Sequence, residues 1–138
     1  MGRVLVTRRL PDGGLDPLAG HDHEIVGPNA DDTPYTPEEL CRDARDCDAI
    51  VSLLTDKIDG EVLEAGAQGG RLRVVANVAV GYDNIDVKTA GAYGIVVCNT
   101  PGVLDDTTAD TAFLLILAAS RLASTAEADL RTDRKSVV

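Results

Sequence analysis

The segment Asn77-Val78-Ala79-Val80-Gly81-Tyr82-Asp83-Asn84 concentrates the residues that could do chemistry. It follows a β-branched run and enters a helical stretch, so it reads as a strand-to-helix turn. Gly81 permits a tight turn and lets a ligand approach the backbone closely. Amides at such a turn point at the N-terminus of the next helix, where a carboxylate or phosphate is favoured. Asp83 or Asn84 can cap that helix. A plain strand-to-helix connection would use the same residue types. Leu54-Thr55-Asp56-Lys57 could line the same cleft, although an exposed Asp-Lys pair is usually a solvated turn. Asp105-Asp106 resembles a metal-binding pair, but acids in a first helical turn are already explained by the helix dipole. Cys41, Cys47 and Cys98 have no CxxC spacing and read as small core residues or incidental thiols. His21 and His23 stand in a polar stretch with no Cys or second His pair beside them, which argues against zinc. No GxGxxG and no GxxxxGK[ST] occurs in the sequence, and Gly13-Gly14 and Gly69-Gly70 read as turns.

The elements that must position these residues alternate. Strands are predicted over 4–6, 24–26, 48–54, 72–76 and 94–99. Helices are predicted over 14–19, 37–46, 59–69, 86–93 and 105–126. Thr36-Pro37-Glu38-Glu39 carries a capping box, with Thr36 as N-cap, Pro37 at N1 and Glu39 at N3. Asp59 caps the next helix. Strand–helix repeats at this spacing are βαβ units, so the fold is α/β: a flavodoxin-like, doubly wound, parallel five-stranded sheet followed by a long helix. Ligands in such sheets bind beyond the carboxyl ends of the strands, which directs attention to loops 7–13, 54–59, 77–84 and 99–106. The helix over 105–126 is apolar all round in its middle and should be buried on all sides. A small sheet covers one side only. Its small residues (Ala109, Ala112, Ala118, Ala119, Ser120) would admit a close partner, so it reads as an interdomain or dimer helix rather than an internal core helix.

Composition bounds the function. The length of 138 residues suits one domain. Hydrophobic residues at 44% and charged residues at 26% give the balance of a globular protein and argue against disorder. With aromatics at 3%, the core must be Val, Leu, Ile and Ala, which suits a parallel sheet under helices. A formal net charge of −10 disfavours nucleic-acid binding. The longest apolar run, Ala112 to Ala119, falls far short of the about 20 residues of a membrane span, and the start is too short and too charged for a signal peptide. The expected location is therefore cytoplasmic. A phosphoacceptor receiver domain shares the sheet, but Thr7-Arg8-Arg9, Leu53-Leu54 and Asn99-Thr100 stand where its acidic pair, its acceptor Asp and its Lys would be.

Several segments together resemble one family. Residues 77–86 look like the VGxDNID signature of the D-isomer-specific 2-hydroxyacid dehydrogenases. Residues 94–104 resemble its GIxVxNTPxVL segment. Thr108-Ala109-Asp110, with Leu114, Leu115 and Arg121, match its TADxxxxLLLxxxR helix. Residues 52–59 are similar to the glyoxylate and hydroxypyruvate reductase branch. The resemblance runs from Val4 to about Arg131. It implies that 1–103 is the substrate domain of an NAD(P)-dependent oxidoreductase acting on 2-hydroxy or 2-oxo acids, that 104–127 is a linking helix through which the complete protein forms a homodimer, and that 128–138 is a tail departing from the pattern.

Residue by residue, the resemblance assigns substrate contact to Leu54, Ala79, Val80 and Gly81, and contact with NAD or NADP to Val80 and Thr108. The family's catalytic Arg, Glu and His have no counterpart, and the Rossmann NAD domain with its fingerprint is absent. The expectation is a truncated gene product that does not catalyse alone, binds no cofactor tightly and associates through uncovered apolar surface. The alternative within the family is a non-enzymatic, corepressor-like or sensing module.

Overall fold

A computed structural model describes residues 1–132 of the chain. It comprises two units, Met1–Pro101 and a second beginning at Gly102. The first unit contains β1 (Arg3–Val6), α1 (Asp16–Ala19), β2 (Glu24–Val26), α2 (Pro37–Ala44), β3 (Ala49–Leu53), α3 (Gly60–Gln68), β4 (Val74–Val78), α4 (Val87–Ala92) and β5 (Val96–Cys98). All strand pairs are parallel, in the order β2-β1-β3-β4-β5. This is the flavodoxin-like doubly wound order expected from the alternation.

Register builds the core. Leu5 lies beside Ile50 and Ile50 beside Val75, and all three are fully buried. Each such side chain contributes about 1.5–3 kcal/mol by leaving water. The steps from β2 to β3, β3 to β4 and β4 to β5 all move the same way across the sheet. Right-handed crossovers therefore place α2, α3 and α4 on one face, and α1, which steps the other way, on the opposite one. Burial alternates to match. Ile50, Ser52, Val75 and Asn77 are buried on the three-helix face, whereas Val78 and Val96 on the other face are 40% and 59% exposed.

Local chemistry sets the helix starts. The Thr36 hydroxyl accepts from the Glu39 amide at 3.2 Å while Glu39 Oε2 accepts from the Thr36 amide at 2.8 Å, completing the expected capping box. Asp59 caps α3 through the amides of Glu61 and Val62. Most element boundaries shift by one or two residues from expectation, β5 for example spanning Val96–Cys98 rather than 94–99, and two differences have a local cause. The fourth strand begins at Val74 rather than residue 72, because Leu72 leaves the ladder to pack on Gly66 of α3, where a Cβ would collide with its side chain. The cap of α4 is Asp86, which accepts from the Thr89 amide at 3.0 Å, and neither Asp83 nor Asn84.

The second unit corrects the single helix expected over 105–126. It is two helices, α5 (Asp105–Ser120) and α6 (Ala123–Arg131), bent by 66°. Leu122 sits in the left-handed region at φ 51, which ends the hydrogen-bond ladder of α5 with no Gly or Pro to announce it. Residues 128–131, read as tail, are helical, and 133–138 lie outside the described residues. The pattern of α5 predicts a centre buried on all sides, yet Phe113 to Leu117 are each more than half exposed. Among the described residues no single helix is long and apolar enough to cross a membrane.

Candidate active-site loop at the carboxyl end of the sheet

The strand order reverses between β1 and β3, and the crevice at such a point is the usual ligand position. Here it is filled. Thr7, next after β1, donates its hydroxyl to Asp56 Oδ2, and the same oxygen accepts from the Leu53 amide at 2.8 Å. Thr7 and Asp56 are both buried. The reading of Asp56-Lys57 as a solvated turn is therefore half right. Lys57 is exposed and pairs with Asp59 at 3.2 Å, but Asp56 turns inward to close the sheet end.

The neighbouring turn, between β4 and α4, remains open. Asn77 and Asn84 pair their side-chain amides head to tail, at 3.0 and 3.3 Å. Asn77 Oδ1 also accepts from Ser52 Oγ at 3.0 Å, and its Nδ2 donates to the Gly81 carbonyl at 2.9 Å. Asn84 Nδ2 reaches the carbonyls of Leu53 and Asp56 at 3.2 and 2.9 Å. From the far side, Asn99 Nδ2 donates to the Val80 carbonyl at 2.7 Å, and the Thr100 amide donates to the Ala79 carbonyl at 2.9 Å. The Ile85 amide takes the Tyr82 carbonyl at 3.0 Å.

The backbone is thereby polarised. Four consecutive carbonyls, Ala79 to Tyr82, are all occupied. Among the described residues nothing accepts from the amides of residues 79–84, those of Val80, Gly81 and Tyr82 included. Unpaired amides beside carbonyls that are already satisfied leave this loop a net donor, the polarity that an anion requires. Gly81 is exposed, its φ is not positive, and an added Cβ would meet nothing nearer than Asp83 Oδ2 at 3.9 Å. Neither backbone angle nor internal packing requires glycine there, so the open space beside it suits the close approach of a ligand.

Of the residues predicted from sequence, Leu54, Ala79, Val80 and Gly81 lie on these two hydrogen-bonded loops. Leu54 is 65% exposed and Val80 40% exposed, giving apolar flanks to a polar backbone. Thr108 lies in the second unit, exposed in the first turn of α5. The sequence gives no sign of the parts that Thr7, Asp56 and Asn99 take in the site. Thr7 and Asp56 meet across 49 residues and Asn99 reaches back 19, whereas Asn77 to Asn84 carries a local signal. A groove of about 350 Å³ lined by Tyr82, Val87, Gly91, Ile95, Val97 and Asn99 adjoins the loop.

Electrostatics elsewhere are structural. The Thr89 hydroxyl and amide hold the Asp86 carboxyl below its ordinary range. Burial pushes the thiols of Cys41 and Cys47 up, away from the reactive thiolate. Among the described residues no group of three His, Cys, Asp or Glu side chains could hold a metal ion.

A flavodoxin-like parallel sheet with an amide-rich turn after its fourth strand defines an α/β domain with its candidate site at the carboxyl ends of the strands. The family model for the D-isomer specific 2-hydroxyacid dehydrogenase catalytic domain matches residues 4–137, and the chain belongs to that family. It is 51% identical over 119 residues to a glyoxylate reductase of Korarchaeum cryptofilum and 47% identical over 119 residues to one of Thermococcus kodakarensis. Each match covers 86% of this chain and 34% of the relative, so the chain spans about a third of those proteins' length. The crystal structure of the TT0316 protein from Thermus thermophilus superposes with a TM-score of 0.82 at 34% identity, covering 99% of this chain and 42% of that one.

Proposed function

We propose that the loop over 79–82 receives the carboxylate of a small 2-oxo or 2-hydroxy acid of the glyoxylate or hydroxypyruvate type. The chain then acts as the substrate-binding part of an NAD(P)-dependent oxidoreductase. The observation that carries this reading is the polarised backbone: four consecutive carbonyls satisfied and the loop's amides, those of Val80, Gly81 and Tyr82 among them, left to donate. A carboxylate accepting from those amides gains charge-assisted hydrogen bonds of about 1.5–3 kcal/mol each. Ala79, Val80 and Gly81 supply the turn, and the exposed Leu54 and Val80 offer apolar surface to the short carbon body of the substrate.

The same reading assigns Val80 and Thr108 to the nicotinamide end of NAD or NADP. The exposed isopropyl of Val80 offers a ring an apolar face, and Thr108 offers a hydroxyl. When bound, the cofactor supplies or accepts the hydride. These 138 residues hold the carboxylate and orient it, and the backbone amides that do so move no proton on the substrate. The reading therefore has them inactive alone, and has α5, with its exposed Phe113 to Leu117, as the dimer helix of a cytoplasmic enzyme.

The test is Gly81→Ala. The position tolerates a methyl group sterically, so the fold should hold while the added Cβ crowds the amides. Oxalate affinity, read by calorimetry, should fall about tenfold, the equivalent of one lost hydrogen bond. Unchanged affinity in a folded variant would contradict the reading.

A further inference from the structure

The three asparagines around the loop do more than complete a turn. Asn77 and Asn84 are joined to each other and to both neighbouring loops: Asn77 holds the Gly81 carbonyl, and Asn84 holds those of Leu53 and Asp56. Asn99, arriving from β5, holds the Val80 carbonyl at 2.7 Å. A carbonyl so held fixes the peptide plane, and with it the direction of the amide on the following residue. Holding the Val80 carbonyl thus aims the Gly81 amide, and holding the Gly81 carbonyl aims the Tyr82 amide.

We infer that Asn77, Asn84 and Asn99 are positioning residues that set the direction of the anion-binding amides and lock the Leu54 loop to the Gly81 loop. None of the three need touch the ligand. The inference rests on the carboxylate reading above and goes beyond it, because it makes affinity depend on side chains behind the loop. Asn99 is the informative member, since it is half-buried, bonds one loop carbonyl and lies outside the Asn77–Asn84 pair. Thr36 is the matching control: its hydroxyl caps α2 through the Glu39 amide, so its loss lowers stability, but it bonds neither loop nor any of the three asparagines.

The experiment measures oxalate affinity by calorimetry, well below each variant's melting temperature, for the parent chain, Asn99→Ala, Asn84→Ala and Thr36→Ala. Asn84→Ala removes the donation to Leu53, Asp56 and Asn77 without adding charge beside the loop. The expected result is about tenfold weaker binding for Asn99→Ala and Asn84→Ala, with Thr36→Ala close to the parent despite a lower melting temperature. Should Asn84→Ala fail to fold, Asn99→Ala decides alone. Parent-like affinity in Asn99→Ala, or an equal loss in Thr36→Ala, overturns the inference. If the parent itself binds no oxalate, the carboxylate reading falls and takes this inference with it.

Discussion

The loops after β3 and β4 leave adjacent strands at the same end of the sheet and use their polar atoms in opposite ways. The first sends its carboxylate inward: Asp56 is buried against Thr7 and the Leu53 amide and fills the crevice where the strand order reverses. The second has its carbonyls satisfied and leaves its amides to donate. An acidic side chain thus serves structure, while the neighbouring backbone keeps its donors unsatisfied. Function in this domain follows from which polar atoms the fold has already satisfied, more than from which residues carry charge.

The contrast can be broken most severely at Asp56. Replacing it by Ala leaves the buried Thr7 hydroxyl and the Leu53 amide without their acceptor, and should cost about 3 kcal/mol of folding stability by chemical denaturation. A loss under about 1 kcal/mol would show that the first loop is not held in this way. Thr7→Val keeps the shape and removes one donor, so about 1.5 kcal/mol is expected on the same measurement.

Acid gives a milder test. The Arg71 guanidinium and the Arg3 amide hold the Asp48 carboxyl below its ordinary range, and Thr89 does the same for Asp86 beyond the open loop. Groups depressed in the folded state add stability above their unfolded value of about 3.9 and lose it as pH falls through the folded value. Melting temperature should therefore decline below about pH 4, and Asp48→Asn should flatten that decline. A parallel, undiminished decline in the variant would remove Asp48 from the account. The smallest effect is expected at Leu54, which is 65% exposed. Leu54→Ala should change stability by less than about 0.5 kcal/mol while altering oxalate affinity by about two- to threefold.

Local signals in the sequence were legible and nonlocal ones were not. Thr36, Pro37 and Glu39 announce α2 because a capping box is complete within four residues. The alternation of strands and helices was enough for the doubly wound sheet, and the 77–84 segment was enough to locate the loop. The fate of Asp56 was not readable, because its burial depends on Thr7, a partner 49 residues away. Asn99, 19 residues from the carbonyl it holds, was hidden for the same reason. Leu72 reads as strand from its own composition and departs only because Gly66 offers it a seat. The bend at Leu122 has no Gly or Pro to mark it, so α5 and α6 read as one helix.

The polarised backbone after β4 is the central claim, and amide proton–nitrogen correlation spectra during an oxalate titration test it most directly. The account predicts that the Val80, Gly81 and Tyr82 amide signals move together and saturate with one affinity, ahead of any other backbone signals. Movement spread over the exposed basic side chains, with those three signals stationary, would contradict it.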